Sequence, residues 1–218
     1  MKEYREIYKD IINQGITMVS EERFETILRY KDNISKIDGD IVECGVWAGG
    51  MSIFLSKLFS TKNIWVCDSY EGCQNPSDGN YHFEYEQHTK GMYAISLETV
   101  KDNFIKNNLP DGKRINFLKG WVKDTLKPEI CPIKDIALLR IDVDSYSATL
   151  EVLDYLYSKV KSGGIIIFDD SCLSESHHAM ITFLEREPNI IFKHTSTGET
   201  IDIKSGNSLP CGCYFIKP

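Results

Sequence analysis

Four aspartates, Asp142, Asp144, Asp169 and Asp170, follow two apolar runs, and together they have the chemistry to hold a hard cation. The first pair closes the stretch ALLRIDVD (137–144) and the second closes GGIIIFDD (163–170). Residues two apart on a strand share a face. Asp142 and Asp144 would therefore bring like charges together, which is costly to bury without a positive partner. A set of carboxylate oxygens suits Mg2+, Mn2+ or Ca2+ rather than zinc, which prefers nitrogen and sulfur. The alternative is that these acids cap the helices that follow, aspartate being a favoured N-cap. A single aspartate reads as a cap, whereas four on two strands favour a metal site.

The elements that must position these acids alternate along the chain. Strands are expected at 39–45, 63–69, 115–120, 136–142 and 164–170, with helices at 51–59, 96–108, 149–160 and 179–187. Nearly continuous apolar strands between helices imply a parallel sheet covered on both faces. Two further strand-like runs, 189–195 and 212–217, are separated by a stretch with Gly198, Gly206, Asn207 and Pro210, and predict an antiparallel closing pair. The fold class is thus α/β, one doubly wound domain over 1–218, with leading helices in residues 1–35. Ligands in such sheets bind at the carboxyl ends of the strands. There, Gly45, Gly49 and Gly50 form a turn into a helix whose backbone a ligand can approach. The pattern is neither G-x-G-x-x-G nor a phosphate loop. Asp68, ending the second strand, is placed to hydrogen-bond ribose hydroxyls, so a nucleoside cofactor is the reading.

Composition narrows the partners. The 218 residues are 42% hydrophobic and 26% charged with a formal charge of −7, which argues against nucleic acid. The start MKEYREIYKD has no secretory h-region, and no apolar run is long enough for a bilayer, so a cytoplasmic protein without membrane attachment is expected. Seven scattered cysteines read as reduced, mostly buried thiols rather than a disulfide framework. The segment 71–95 is long and aromatic-rich, with His82 and His88, and reads as a lid or acceptor loop. His177 and His178 are expected to be exposed at a helix start.

The blocks GDIVECGVWAGG (39–50), WVCDSYEG (65–72), SLETVKDNF (96–104), GWVKDTL (120–126) and LLRIDVDSYSATLEVLDYLYSKVKSGGIIIFDD (138–170) resemble the macrocin-type O-methyltransferases, which use S-adenosylmethionine to methylate sugar hydroxyls. The resemblance implies a class I, Rossmann-like, seven-stranded mostly parallel sheet with an antiparallel C-terminal strand. It implies that Asp142, Asp169 and Asp170 hold Mg2+ or Mn2+, and that Asp144 is the general base. Glu43, Gly45, Val46, Trp47, Gly49 and Gly50 would hold the methionine part of the cofactor. Asp68 and Ser69 would hold the ribose, and Gly120, Trp121 and Asp124 would border the adenine. Asp142 would also touch the cofactor.

Two other readings stay open at this stage. D-x-D also marks nucleotide-sugar glycosyltransferases, and a methyltransferase-like domain can bind without catalysing. The sugar acceptor is not specified by the sequence; the leading helices are a candidate surface for a homo-oligomer.

Overall fold

A computed structural model describes residues 2–75, 81, 88–110, 112–205 and 209–218, the side chains of Lys2 and Glu3 excepted. His82, Gly206 and Asn207 lie outside the described residues, as do residues 76–80 and 82–87 of the expected lid. The chain begins with α1 (Lys2–Asn13), α2 (Glu21–Arg29) and α3 (Lys31–Lys36). Five parallel strands follow: β1 (Asp40–Cys44), β2 (Ile64–Asp68), β3 (Ile115–Lys119), β4 (Ile136–Ile141) and β5 (Val160–Phe168). Between them lie α4 (Gly50–Leu58), α5 (Leu97–Lys106), α6 (Val122–Thr125) and α7 (Tyr146–Leu156). The chain ends with α8 (Ser174–Arg186), β6 (Phe192–His194), β7 (Thr200–Ile201) and β8 (Cys213–Ile216).

The sheet order is β3-β2-β1-β4-β5-β8-β6-β7, and the last three strands are antiparallel to their neighbours. The strand order reverses between β1 and β4, which is where a crevice opens in doubly wound sheets. Two apolar layers cover the sheet. One packs Phe24, Phe54 and Val100 against it, and the other packs Leu150, Leu153 and Phe183. Strand β4 is buried at every position, as its unbroken IALLRI run requires.

The structure departs from the sequence expectations in three places. The sheet has eight strands rather than seven, because the two-residue β7 adds an edge too short to leave a pattern. Helix α6 is extra, being too short for a periodic signal. Cys172 and Cys211 form a disulfide, so the reduced-thiol expectation fails for this pair. They are 39 residues apart, and the fold brings the turn after β5 against the entry to β8. Cys44, Cys67, Cys73, Cys131 and Cys213 remain thiols.

Candidate active site

A cavity of about 340 Å3 opens at the carboxyl ends of β1, β2, β4 and β5. That volume lies within the range of small-molecule sites, roughly 300–1,000 Å3. Gly45 makes the β1 end possible. Its φ is +81°, and a Cβ there would lie 1.7 Å from the carbonyl oxygen of Asp142. Only glycine lets the β1 and β4 loops approach so closely. Val46, Trp47 and Gly50 continue the wall, and Ile16 and Thr17 from the leading segment close over Gly50.

Asp68 holds this turn. Its carboxylate accepts from the Val46 amide at 2.8 Å and the Tyr70 amide at 2.7 Å. Burial nevertheless pushes its pKa above the ordinary range, with those amides pulling the other way. Ser69, Gly120 and Trp121 also face the cavity, as expected. Two residues expected at the cofactor do not. Asp124 points outward, with 57% of its side chain exposed, and pairs with Lys127 at 3.9 Å. On the short α6, Val122 and Thr125 face the cavity, so Asp124 falls on the turn's other side. Gly49 is outside the cavity wall; its missing side chain makes room for Val100 and Phe104 of α5.

The four aspartates do converge on the cavity, but they divide into two groups. Asp142, Asp144 and Asp170 bring oxygens within 4.8 Å of one another. Burial and mutual repulsion push Asp170 well above the usual carboxylate range, and Asp170 Oδ2 is buried without a hydrogen-bond partner among the described residues. Burial and the Asp142 charge push Asp144 up to about 6, while His88 pulls it down. Asp144 also adopts φ +57°, a left-handed conformation that non-glycine residues rarely take and that clusters at functional sites. None of these acids caps a helix: Ser145 caps α7 by accepting from the Ala148 amide at 3.2 Å, and α8 has no side-chain cap.

Asp169 belongs to the second group. One oxygen pairs with Arg140 at 2.5 Å and the other with Arg23 of α2. Arg140 also donates to Glu43 at 2.5 Å and to Asp142 at 2.7 Å. The structure therefore supplies a positive partner for the buried acids that the sequence reading did not name. Its signal was present, since Arg140 is a lone cation within an apolar strand. Glu43 is completely buried; desolvation raises its pKa to about 7 against the pull of Arg140 and of the Ser52 hydroxyl. His88 lines the cavity with a buried Nδ1 that has no hydrogen-bond partner among the described residues. His178 is exposed as expected, whereas His177 is half-buried with its ring on the Ile203 carbonyl at 2.7 Å. Neither lines the cavity.

A family model described as Macrocin-O-methyltransferase (TylF) matches residues 1–194. The chain belongs to the macrocin O-methyltransferase family. It is 31% identical over 198 residues to the mycinamicin III 3''-O-methyltransferase of Micromonospora griseorubida, covering 85% of this chain and 77% of that one. It is 32% identical over 174 residues to the 8-demethyl-8-(2,3-dimethoxy-alpha-L-rhamnosyl)-tetracenomycin-C 4'-O-methyltransferase of Streptomyces olivaceus, covering 75% of this chain and 66% of the relative. Among solved structures, the O-methyltransferase NovP superposes with a TM-score of 0.75 at 27% identity, over 93% of this chain and 82% of NovP. The fold is that of the class I S-adenosylmethionine-dependent O-methyltransferases. Membership in this family decides against the glycosyltransferase reading of D-x-D. Among the described residues, no helix of this macrocin-family chain is long and apolar enough to cross a membrane.

Proposed function

We propose that this protein transfers a methyl group from S-adenosylmethionine to a sugar hydroxyl of a glycosylated small molecule, with help from a divalent cation. The observation that carries this reading is the convergence of Asp142, Asp144 and Asp170 on the cavity beside the glycine turn. Family membership supports the O-methyl transfer, and the tetracenomycin relative, whose name specifies a rhamnosyl group, supports the sugar.

The residues fit the cofactor. The turn from Gly45 to Gly50 offers close backbone approach. Asp68 keeps lone pairs beyond those taken by the Val46 and Tyr70 amides, and these suit ribose hydroxyls. Trp121 offers a flat face for adenine. S-adenosylmethionine supplies the methyl group on a sulfonium, to be displaced in line.

The acids fit a cation as well, because three carboxylates within 4.8 Å with a partnerless buried oxygen are short of positive charge. Asp142 and Asp170 would hold Mg2+ or Mn2+, which would lower the pKa of the acceptor hydroxyl. Asp169 was expected as a third ligand; its oxygens are committed to Arg140 and Arg23, so we assign it to holding the site rather than the ion. Asp144 takes the hydroxyl proton onto a carboxylate oxygen. A pKa of about 6 leaves it ionised at neutral pH yet basic enough to accept. His88, beside it, stabilises the ionised form when charged.

The test incubates the full chain with S-adenosylmethionine and a panel of unmethylated 6-deoxyhexose glycosides, with Mg2+ or EDTA, and reads S-adenosylhomocysteine. Acceptor-dependent product that EDTA stops is the expected result. Product formed equally in EDTA would remove the cation from the mechanism, and no turnover on any glycoside would remove the sugar.

A further inference from the structure

Arg140 is the largest fully buried side chain among the described residues, 1% exposed, in the middle of a strand otherwise made of Ile, Ala and Leu. Burying a guanidinium costs several kcal/mol, roughly, and apolar replacements of buried ion pairs are often neutral or stabilising. Stability alone therefore gives little reason for it to be there. Its contacts suggest a reason. In the sheet, β4 lies between β1 and β5, and Arg140 stands directly opposite Glu43 in the β1 register. From that position one guanidinium reaches the carboxylates of Glu43, Asp142 and Asp169, which come from three adjacent strands or strand ends. The contact to Asp169 is an ion pair without an aligned hydrogen bond, and Arg140 itself lines the cavity.

Each acid presents one oxygen to Arg140. The second oxygen of Glu43 accepts from Ser52 at the start of α4, and that of Asp169 pairs with Arg23. Of the three, only Asp142 also belongs to the cluster with Asp144 and Asp170. Lysine cannot reproduce this, because a single ammonium lacks the planar fork that spans several acceptors.

We propose that Arg140 is a positioning residue that fixes Glu43 and Asp142 beneath the glycine turn and so builds the cofactor half of the cavity without any metal. The inference rests on the reading of this cavity as an S-adenosylmethionine site. It separates two tasks: Arg140 balances the acids under the cofactor, and the cation balances those facing the acceptor. Cofactor binding should then be independent of metal and dependent on Arg140.

The experiment measures S-adenosylhomocysteine affinity by calorimetry for the full chain and for Arg140→Lys and Arg140→Met, each in EDTA and in Mg2+, alongside melting curves. The unmodified protein should bind with affinities within threefold in the two buffers. Arg140→Met leaves Glu43, Asp142 and Asp169 without their shared partner, so it should melt below the parent while still folding. It should bind at least tenfold more weakly, and Arg140→Lys should recover only part of the loss. Parent-like affinity in either variant overturns the proposal, and so does a tenfold loss of the parent's affinity in EDTA. Failure of both variants to fold would make Arg140 a structural residue and also overturn it. If the unmodified protein binds no S-adenosylhomocysteine in either buffer, it is the cofactor reading that fails.

Discussion

The two halves of the acidic cluster are both built from carboxylates and differ in what neutralises them. Glu43, Asp142 and Asp169 surround Arg140, and Arg23 adds a second guanidinium. Across the cavity, Asp142, Asp144 and Asp170 face one another, and Asp170 Oδ2 has no partner among the described residues. The difference teaches where a ligand's charge is wanted. An acid group already matched by arginine gains little from a cation, while a group whose buried oxygen lacks a partner among the described residues gains more. Asp142 is common to both halves and joins the cofactor side to the acceptor side.

The largest effect should come from the acceptor half. Asp144→Asn removes the proton acceptor while keeping the side chain's shape. Steady-state rates with a competent glycoside should fall by about 10²–10⁴, the usual worth of a general base. S-adenosylhomocysteine affinity, measured in parallel, should stay unchanged. A variant with near-normal turnover would mean that Asp144 does not take the proton and that the comparison is drawn at the wrong residue.

The next test separates the adjacent pair Asp169 and Asp170. Asp170→Asn should weaken Mn2+ binding, followed by electron paramagnetic resonance, on the order of 100-fold, because it removes a proposed ligand. Asp169→Asn should weaken it less, by about tenfold, the low end for a supporting group outside the ligand set. Equal losses would return Asp169 to the ligand set that its sequence position suggested.

How much of this was legible beforehand follows from the range of each interaction. The strands that lead to Asp68, Asp142 and Asp169 were readable because apolar runs and glycine turns are local signals, and the glycine turn itself was readable for the same reason. Arg140 stood within the run that raised the charge question, but its partners come from three strands, so strand order had to be known before its role appeared. Arg23 is further out of reach, since it meets Asp169 across 146 positions of sequence. The Cys172–Cys211 bridge was obscured by a chain long enough to fold without one, and it depends on β8 lying beside β5. Asp124 failed for a smaller reason: which side of a four-residue helix faces a ligand is not written in its periodicity.

A pH series tests the comparison as a whole. Glu43 rises from 4.5 to about 7 in the folded protein, and Asp144 from 3.8 to about 6, both through burial first. The folded state therefore holds protons that the unfolded chain has released. The stabilisation is fully present below the unfolded values and is lost as pH rises through the folded ones. In EDTA, the melting temperature should fall as pH rises from about 5 to about 7.5. Mg2+ favours the ionised acids of the acceptor half, so it should raise the melting temperature most at the upper end of that range. A metal-free protein that grows more stable with pH would contradict the raised pKa values of Glu43 and Asp144 alike.

The smallest effect belongs to a residue that shares the chemistry but not the place. Asp124 is an aspartate next to the cavity wall, yet its side chain is more than half exposed and its partner Lys127 is 3.9 Å away. A surface pair of that kind contributes about 0–1 kcal/mol, and less in salt. Asp124→Ala should leave S-adenosylhomocysteine affinity within about twofold, because a group screened by water exerts little force on a ligand. Trp121→Ala, three positions earlier on the cavity wall, should weaken it about tenfold through the loss of an aromatic surface. If Asp124→Ala proved the more damaging of the two, α6 would have to turn by about a quarter when the cofactor binds.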